Sequence, residues 1–176
     1  MKKYILCIFL YFVMGMAFSQ GIPNFQFNTM DGKQSSLSNL LEEGPVLIDF
    51  WALWCAPCLK EMRHLNTFQE FYEEKGLTVL MVNLDTERSR TKVRAYVRSK
   101  NYQFLVAMDP SQNIYRQLSG TALPYTLLID QNGEVVYKHT GYMPGDEEIL
   151  EEKISKLFVT SDSTLTVPES EPMDEK

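Results

Sequence analysis

Two cysteines three positions apart carry the clearest chemical signal in this 176-residue chain. Cys55 and Cys58 follow a largely apolar run at residues 46–51, and they open a segment whose apolar residues recur with helical spacing. A strand followed by Cys-x-x-Cys at a helix start is the arrangement that thiol–disulfide exchange requires. The helix start offers free backbone N–H groups and partial positive charge, which stabilise a thiolate at Cys55. The spacing also lets Cys58 reach back and close a small disulfide ring.

The hydrophobic pattern predicts strands and helices that alternate around this pair. Gln131-Asn132-Gly133, between two strand-like runs near the end, is typical of a β-hairpin. The order of elements predicts one α/β domain in which helices flank a mixed β-sheet. Strands are predicted at residues 22–27, 46–51, 77–84, 104–108, 125–130 and 134–139, and helices at 36–41, 55–75, 86–100, 112–118 and 146–158.

Residues 1–19 have the pattern of an export signal. Lys2 and Lys3 precede an apolar run at residues 4–18, and small residues stand before Gln20 at the spacing of a cleavage site. The run is shorter than the about 20 residues that a membrane-spanning helix needs, so an uncleaved membrane anchor is the secondary interpretation. We therefore expect a periplasmic or other extracytoplasmic protein whose domain covers residues 20–158.

The other end of the chain, residues 159–176, lacks apolar periodicity and is rich in acids, which predicts a disordered acidic tail. The net charge of −6 argues against nucleic acid as a partner. Cys7 lies within the signal, so the exported chain would keep only Cys55 and Cys58. Outside the cytoplasm, such a pair either receives electrons from a dedicated donor or works as an oxidant.

The chain resembles the thioredoxin superfamily, and more narrowly the exported TlpA/ResA-type thiol–disulfide oxidoreductases. The resemblance covers residues 22–158 and implies a thioredoxin-like sandwich with an N-terminal hairpin extension and a helix–strand insertion before a cis-proline. It is carried by residues 28–38 as the entry hairpin, by residues 46–51 with Trp-Cys-Ala-Pro-Cys at 54–58, by Leu123-Pro124 before residues 125–130, and by Gly133 and Gly141.

The resemblance implies a role for each residue around the sulfurs. Cys55 is expected to be the nucleophile that forms a mixed disulfide with a partner, and Cys58 the residue that resolves it. Pro124 is expected in cis, where it would aim the neighbouring backbone at an extended peptide. Asp49, an acid within an apolar strand, and Glu61, three residues after Cys58, are expected to relay a proton.

The resemblance also implies a surface on which partner proteins dock beside the sulfurs. Tyr125 stands where thioredoxins commonly carry threonine, so a bulkier side chain is expected to change which partners dock. Trp51 and Trp54 are expected either to shield the sulfurs from water or to belong to the core. The residues expected to contact a partner are Trp54, Ala56, Pro57, Leu123 and Tyr125.

These features favour an exported, monomeric thiol–disulfide oxidoreductase that acts as a reductant without a cofactor. The resemblance implies protein disulfides as substrates, with apocytochrome c as the family's example, and a membrane protein of the disulfide-exchange type as electron donor. A DsbA-like oxidant or isomerase is the first alternative, and a copper-binding assembly factor is a more remote one. Zinc would need about four ligands, whereas the exported chain offers two thiols with His64 and His139.

Overall fold

The computed structural model describes residues 21–162, so the predicted signal and most of the predicted tail lie outside the described residues. The elements are β1 (Gln26–Asn28), β2 (Gln34–Ser36), α1 (Leu37–Glu43), β3 (Val46–Trp51), α2 (Ala56–Tyr72), β4 (Thr78–Asn83), α3 (Arg90–Ser99), β5 (Leu105–Met108), α4 (Asn113–Gln117), β6 (Tyr125–Ile129), β7 (Val135–Thr140) and α5 (Asp146–Asp162). Short 3₁₀ turns at Glu73–Lys75 and Glu87–Ser89 follow α2 and precede α3.

Strands β3 to β7 form one mixed sheet in the order β5-β4-β3-β6-β7. β3 runs parallel to β4 and antiparallel to β6, while β7 returns antiparallel to β6 as the predicted hairpin. β1 and β2 form a separate antiparallel hairpin, which is joined to β5 where Met30 N donates to Val106 O at 2.8 Å. This architecture confirms the predicted thioredoxin-like sandwich with an N-terminal hairpin and an α3–β5 insertion.

β3 is buried along its whole length because it has a strand on each side and helices on both faces. Its side chains alternate between two hydrophobic clusters. Leu47 and Trp51 pack with α2 and both cysteines, whereas Ile48 and Phe50 belong to the cluster on the opposite face. Asp49 falls on the α2 side by the same alternation, which puts a carboxyl group beneath the cysteine-bearing helix.

The ends of the helices follow local signals in part. α1 ends at Glu43 rather than at 41, α3 begins at Arg90 rather than at 86, and α5 also differs from the prediction. Gly76, with a φ of 98°, ends the turn that extends α2, as its position in the sequence predicts. α5 runs to Asp162, whereas the prediction ended this helix at residue 158. No proline interrupts the chain between 146 and 162, so the helix continues past its last buried apolar residue, Ile154.

Candidate active site

The end of β3 and the start of α2 place the two cysteines. Cys55 caps the N-terminus of α2 in an extended conformation, and Cys58 N donates to Cys55 Sγ at 3.3 Å. Pro57 occupies the first helical turn, where its missing N–H removes no helical hydrogen bond. The structure joins Cys55 to Cys58 in a disulfide whose Cα atoms lie 5.3 Å apart. The helix start therefore presents the backbone N–H of Cys58 to the Cys55 sulfur.

The two sulfur-bearing residues differ in their access to solvent. Cys55 is 5% exposed and Cys58 is fully buried at 0%. Cys55 is therefore the sulfur nearer to a partner, and Cys58 lies behind it in the core, as attack by one cysteine and resolution by the other require.

A buried polar pair that the sequence analysis missed holds the loop before the cysteines. Asp85 Oδ2 accepts hydrogen bonds from Leu53 N at 2.8 Å and from Asn83 Nδ2 at 3.0 Å. Asn83 Oδ1 in turn accepts from Asp85 N at 3.0 Å. These bonds tie the end of β4 to the loop between β3 and α2, and so fix the position of Trp54 and Cys55. The sequence signal that could have indicated this pair is the presence of two polar residues, Asn83 and Asp85, at the end of an apolar strand.

A groove of about 500 Å³ opens beside Cys55. Trp54, Ala56 and Pro57 line one side, and residues 121–123 line the other. The Leu123–Pro124 peptide bond is cis, as the resemblance implied, and Gly141 N donates to Pro124 O at 2.8 Å. Among the described residues that line this groove, none carries a charged side chain. The groove therefore suits an extended, largely apolar peptide segment.

The side chain of Tyr125 is not in this groove, contrary to the expectation that its bulk affects docking. It is 1% exposed, and its ring stacks on Phe50 at a centroid distance of 5.8 Å. Tyr125 Oη donates to Leu118 O at 2.7 Å. Because Tyr125 pairs with Phe50 across β3 and β6, the pleat turns its ring toward the sheet face opposite α2.

The two tryptophans have different environments. Trp51 is fully buried in the cluster that contains both cysteines, so it lies against the sulfur-bearing core. Trp54 is 71% exposed at the edge of the groove, where it is open to a partner.

Two buried carboxyl groups lie together beneath α2. Asp49 is 0% and Glu61 is 4% exposed, and both are within hydrogen-bond distance of one hydroxyl. Thr126 Oγ1 lies 3.1 Å from Asp49 Oδ1 and 3.3 Å from Glu61 Oε1. Within residues 21–162, Asp49 Oδ2 and Glu61 Oε2 have no hydrogen-bond partner. The structure thus brings together the two acids that the sequence indicated. The threonine that connects them was not predicted from the sequence.

Burial makes ionisation of both acids unfavourable. It is the main cause that raises the pKa of Asp49 well above its usual range, and the charge of Glu61 adds to this effect. Burial also raises the pKa of Glu61 to about 7, partly opposed by the Thr126 hydroxyl and assisted by the negative charges of Asp146 and Glu147. Glu61 can therefore take up and release a proton near neutral pH.

Both histidines pair with carboxylates at the start of α5. His64 Nε2 lies 3.8 Å from Glu147 Oε1, and His139 Nε2 lies 3.2 Å from Asp146 Oδ2. Across the part of the chain that the structure describes, no three His, Cys, Asp or Glu side chains are grouped as a metal ion would require.

The sheet has this strand order, the Cys-x-x-Cys pair opens a helix, and Leu123, which precedes the cis-proline, lines the groove beside Cys55. These features define the class of thioredoxin-like thiol–disulfide oxidoreductases. Comparison with known families agrees, since the Redoxin family model matches residues 18–154. The chain belongs to the Redoxin family.

Individual relatives narrow the class. A thiol-disulfide oxidoreductase ResA of Bacillus cereus is 35% identical over 126 residues, which cover 72% of this chain and 71% of that protein. The thioredoxin-like protein YneN of Bacillus subtilis is 32% identical over 142 residues, which cover 80% of this chain and 81% of that protein. The chain is thus a ResA-like thiol–disulfide oxidoreductase whose redox pair is Cys55 and Cys58.

A solved structure gives the same result for the fold. A Chlorobium tepidum protein assigned as a thiol:disulfide interchange protein DsbE superposes with a TM-score of 0.72 and 33% identity, over 78% of this chain and 95% of that one. Among residues 21–162, no helix has both the length and the apolar character that crossing a bilayer demands.

Proposed function

We propose that this oxidoreductase works outside the cytoplasm as a reductant of protein disulfides, with apocytochrome c as its expected client in cytochrome c maturation. The observation that carries the proposal is the pair of buried acids, Asp49 and Glu61, beneath the cysteine-bearing helix. A membrane protein of the disulfide-exchange type would return electrons to the Cys55–Cys58 disulfide, and the chain would act as a monomer.

The electrostatics of these acids support this direction of electron flow. A negative charge near the sulfurs disfavours a thiolate and thereby raises the thiol pKa. A strong oxidant such as DsbA stabilises its reduced thiolate form, so a site that disfavours the thiolate has a lower reduction potential. The buried acids therefore favour donation of electrons over their removal from clients.

The reaction begins when a client segment lies along the groove with its disulfide at Cys55. The Cys55 thiolate attacks one client sulfur, a mixed disulfide forms, and the other client sulfur leaves as a thiolate. Cys58 then loses its proton and attacks the Cys55 sulfur. The enzyme disulfide forms, the second client sulfur is released, and the client gains two electrons while the enzyme loses them.

The reduction potential tests the direction of flow. We expect equilibration with glutathione to give a value at or below that of thioredoxin, about −270 mV. Glu61→Gln is expected to raise it, whereas Glu70→Gln, which changes an exposed acid of the same helix, should not. A value near that of DsbA, about −120 mV, would support the oxidant or isomerase alternative and overturn the proposal.

Client and location need separate experiments in cells. A Cys58→Ala variant should accumulate a mixed disulfide between Cys55 and its client, which mass spectrometry identifies, and apocytochrome c is the expected protein. The mature chain should begin at Gln20 and occur in the periplasmic fraction. Retention of residues 1–19 would support the anchored alternative, and copper(I) binding that requires both cysteines and a histidine would support the copper-factor alternative.

A further inference from the structure

Thr126 occupies an unusual position between the two buried acids. It is 1% exposed and lies directly opposite Asp49 in the antiparallel register of β3 and β6. Its hydroxyl contacts Asp49 at 3.1 Å and Glu61 at 3.3 Å, and so connects the sheet to α2. In the part of the chain that the structure describes, no other hydrogen bond to a side-chain oxygen of either acid is found.

The number of hydrogens in this contact limits its protonation state. A threonine hydroxyl can donate one hydrogen bond, and an ionised carboxylate can only accept. If both acids were ionised, the Thr126 hydroxyl could donate to only one of them. Its oxygen would then lie against the other carboxylate with no hydrogen between the two oxygens. If both were protonated, the second proton would point to Asp49 Oδ2 or Glu61 Oε2, where the described residues offer no partner. One proton on the pair therefore satisfies both contacts.

We propose that Asp49 and Glu61 share one proton, and that the Thr126 hydroxyl passes it between them by reversing its own hydrogen bonds. When Asp49 is protonated, it donates to Thr126 and Thr126 donates to the Glu61 carboxylate. When Glu61 is protonated, the two bonds run in the opposite sense. Thr126 is thus a positioning residue for the proton that the reaction must move.

The surroundings of the pair identify Glu61 as its outer end. Asp49 is enclosed within the sheet, whereas the negative charges of Asp146 and Glu147 act on Glu61 from α5. The titratable and charged groups around the pair lie on α2, on β7, in the following loop and on α5. They are Arg63 and His64, Tyr137 and His139, Tyr142, and Asp146 and Glu147.

This arrangement gives the proton of Cys58 a defined route during oxidation of the enzyme. Before resolution, the shared proton is on Glu61 and Asp49 is a carboxylate. In the role that the family resemblance implies for it, Asp49 takes the proton of the Cys58 thiol. The Cys58 sulfur then bonds to Cys55, the client sulfur leaves as a thiolate, and Glu61 releases its proton to solvent. The proton that Asp49 took from Cys58 then passes to Glu61 through the Thr126 hydroxyl. One proton leaves for each disulfide formed, and the pair is restored.

The inference is tested by Thr126→Val, which keeps the shape and removes the hydroxyl, and by Thr126→Ser, which keeps the hydroxyl. A mixed disulfide is prepared between Cys55 and a model peptide, and release of the peptide is followed from about pH 5.5 to 8. We expect Thr126→Val to slow release about tenfold near neutral pH and to flatten its pH profile, with Thr126→Ser within about twofold of wild type. Equal rates for wild type and Thr126→Val, or equal slowing by both variants, would overturn the proposal.

A measurement on the wild-type protein covers the case in which Thr126→Val does not fold. Carboxyl ¹³C NMR of the oxidised protein should show one protonated carboxyl group on the Asp49–Glu61 pair at about pH 6. Both signals should then shift together as the pH rises through about 7. Two ionised carboxylates or two protonated carboxyl groups at that pH, or two independent titrations, would refute the shared proton. Neither result depends on whether the enzyme reduces or oxidises its clients.

Discussion

Replacing Glu61 by glutamine should stabilise the oxidised protein at neutral and alkaline pH but not at acidic pH. Glu61 is 4% exposed, and its burial raises its pKa from 4.5 to about 7. The folded protein therefore binds this proton more tightly than the unfolded chain does. The contribution of Glu61 to wild-type stability is fully present below about pH 4.5 and is lost as the pH rises through about 7, whereas glutamine has no proton to lose.

The size of the effect follows from the same pKa. A rise from 4.5 to about 7, at about 1.4 kcal/mol for each pH unit, gives about 3 kcal/mol between the two forms. The free energy of unfolding of Glu61→Gln should therefore exceed that of wild type by about 3 kcal/mol at pH 8. The difference should become small near pH 4, because glutamine also keeps an amide that can hydrogen-bond to Thr126.

Urea unfolding of both oxidised proteins at several values between pH 4 and 8 measures this difference directly. The control is Glu70→Gln on the same helix, whose side chain is exposed and whose substitution should not change the pH dependence. A difference between wild type and Glu61→Gln that stays constant across this range would refute the account of the buried acids.

Three further substitutions separate docking from stability. Trp54→Ala should lower the kcat/KM for peptide disulfides roughly fivefold without changing the Tm, because Trp54 is exposed beside the groove. The control is Phe71→Ala, which removes an aromatic side chain that is 63% exposed and should leave kcat/KM unchanged. Tyr125→Phe should lower the free energy of unfolding by about 1 kcal/mol in urea and leave exchange rates intact, so a change in client preference would contradict the buried position of Tyr125. Asp85→Ala should cost about 1–3 kcal/mol in the same assay and also slow exchange, and full activity would show that its bonds do not position the Cys55 loop.

The parts of the fold that local signals specify could be predicted from the sequence. The apolar run of β3 and the glycine at Gly76 mark their elements without reference to the rest of the chain. The cysteine pair is a local signal of the same kind, because its chemistry depends on three-residue spacing at a helix start.

The remainder depends on contacts between distant residues. Thr126 lies 77 residues from Asp49 in sequence, and only the register of β3 and β6 brings them together, so its position between the acids could not be predicted. The pleat that turns Tyr125 into the core and the loop that leaves Trp54 exposed depend on the assembled sheet in the same way. A pattern that marks both aromatics as apolar does not specify which side each one faces.

The most direct test of the central claim is to identify the cysteine that attacks. Reduced Cys58→Ala and Cys55→Ala variants are mixed with a peptide disulfide at pH 7, and the adducts are quantified by mass spectrometry at early times. The account predicts rapid formation of a mixed disulfide on Cys55 in the first variant and little adduct on the buried Cys58 in the second. Equal reactivity of the two cysteines, or faster reaction at Cys58, would contradict it.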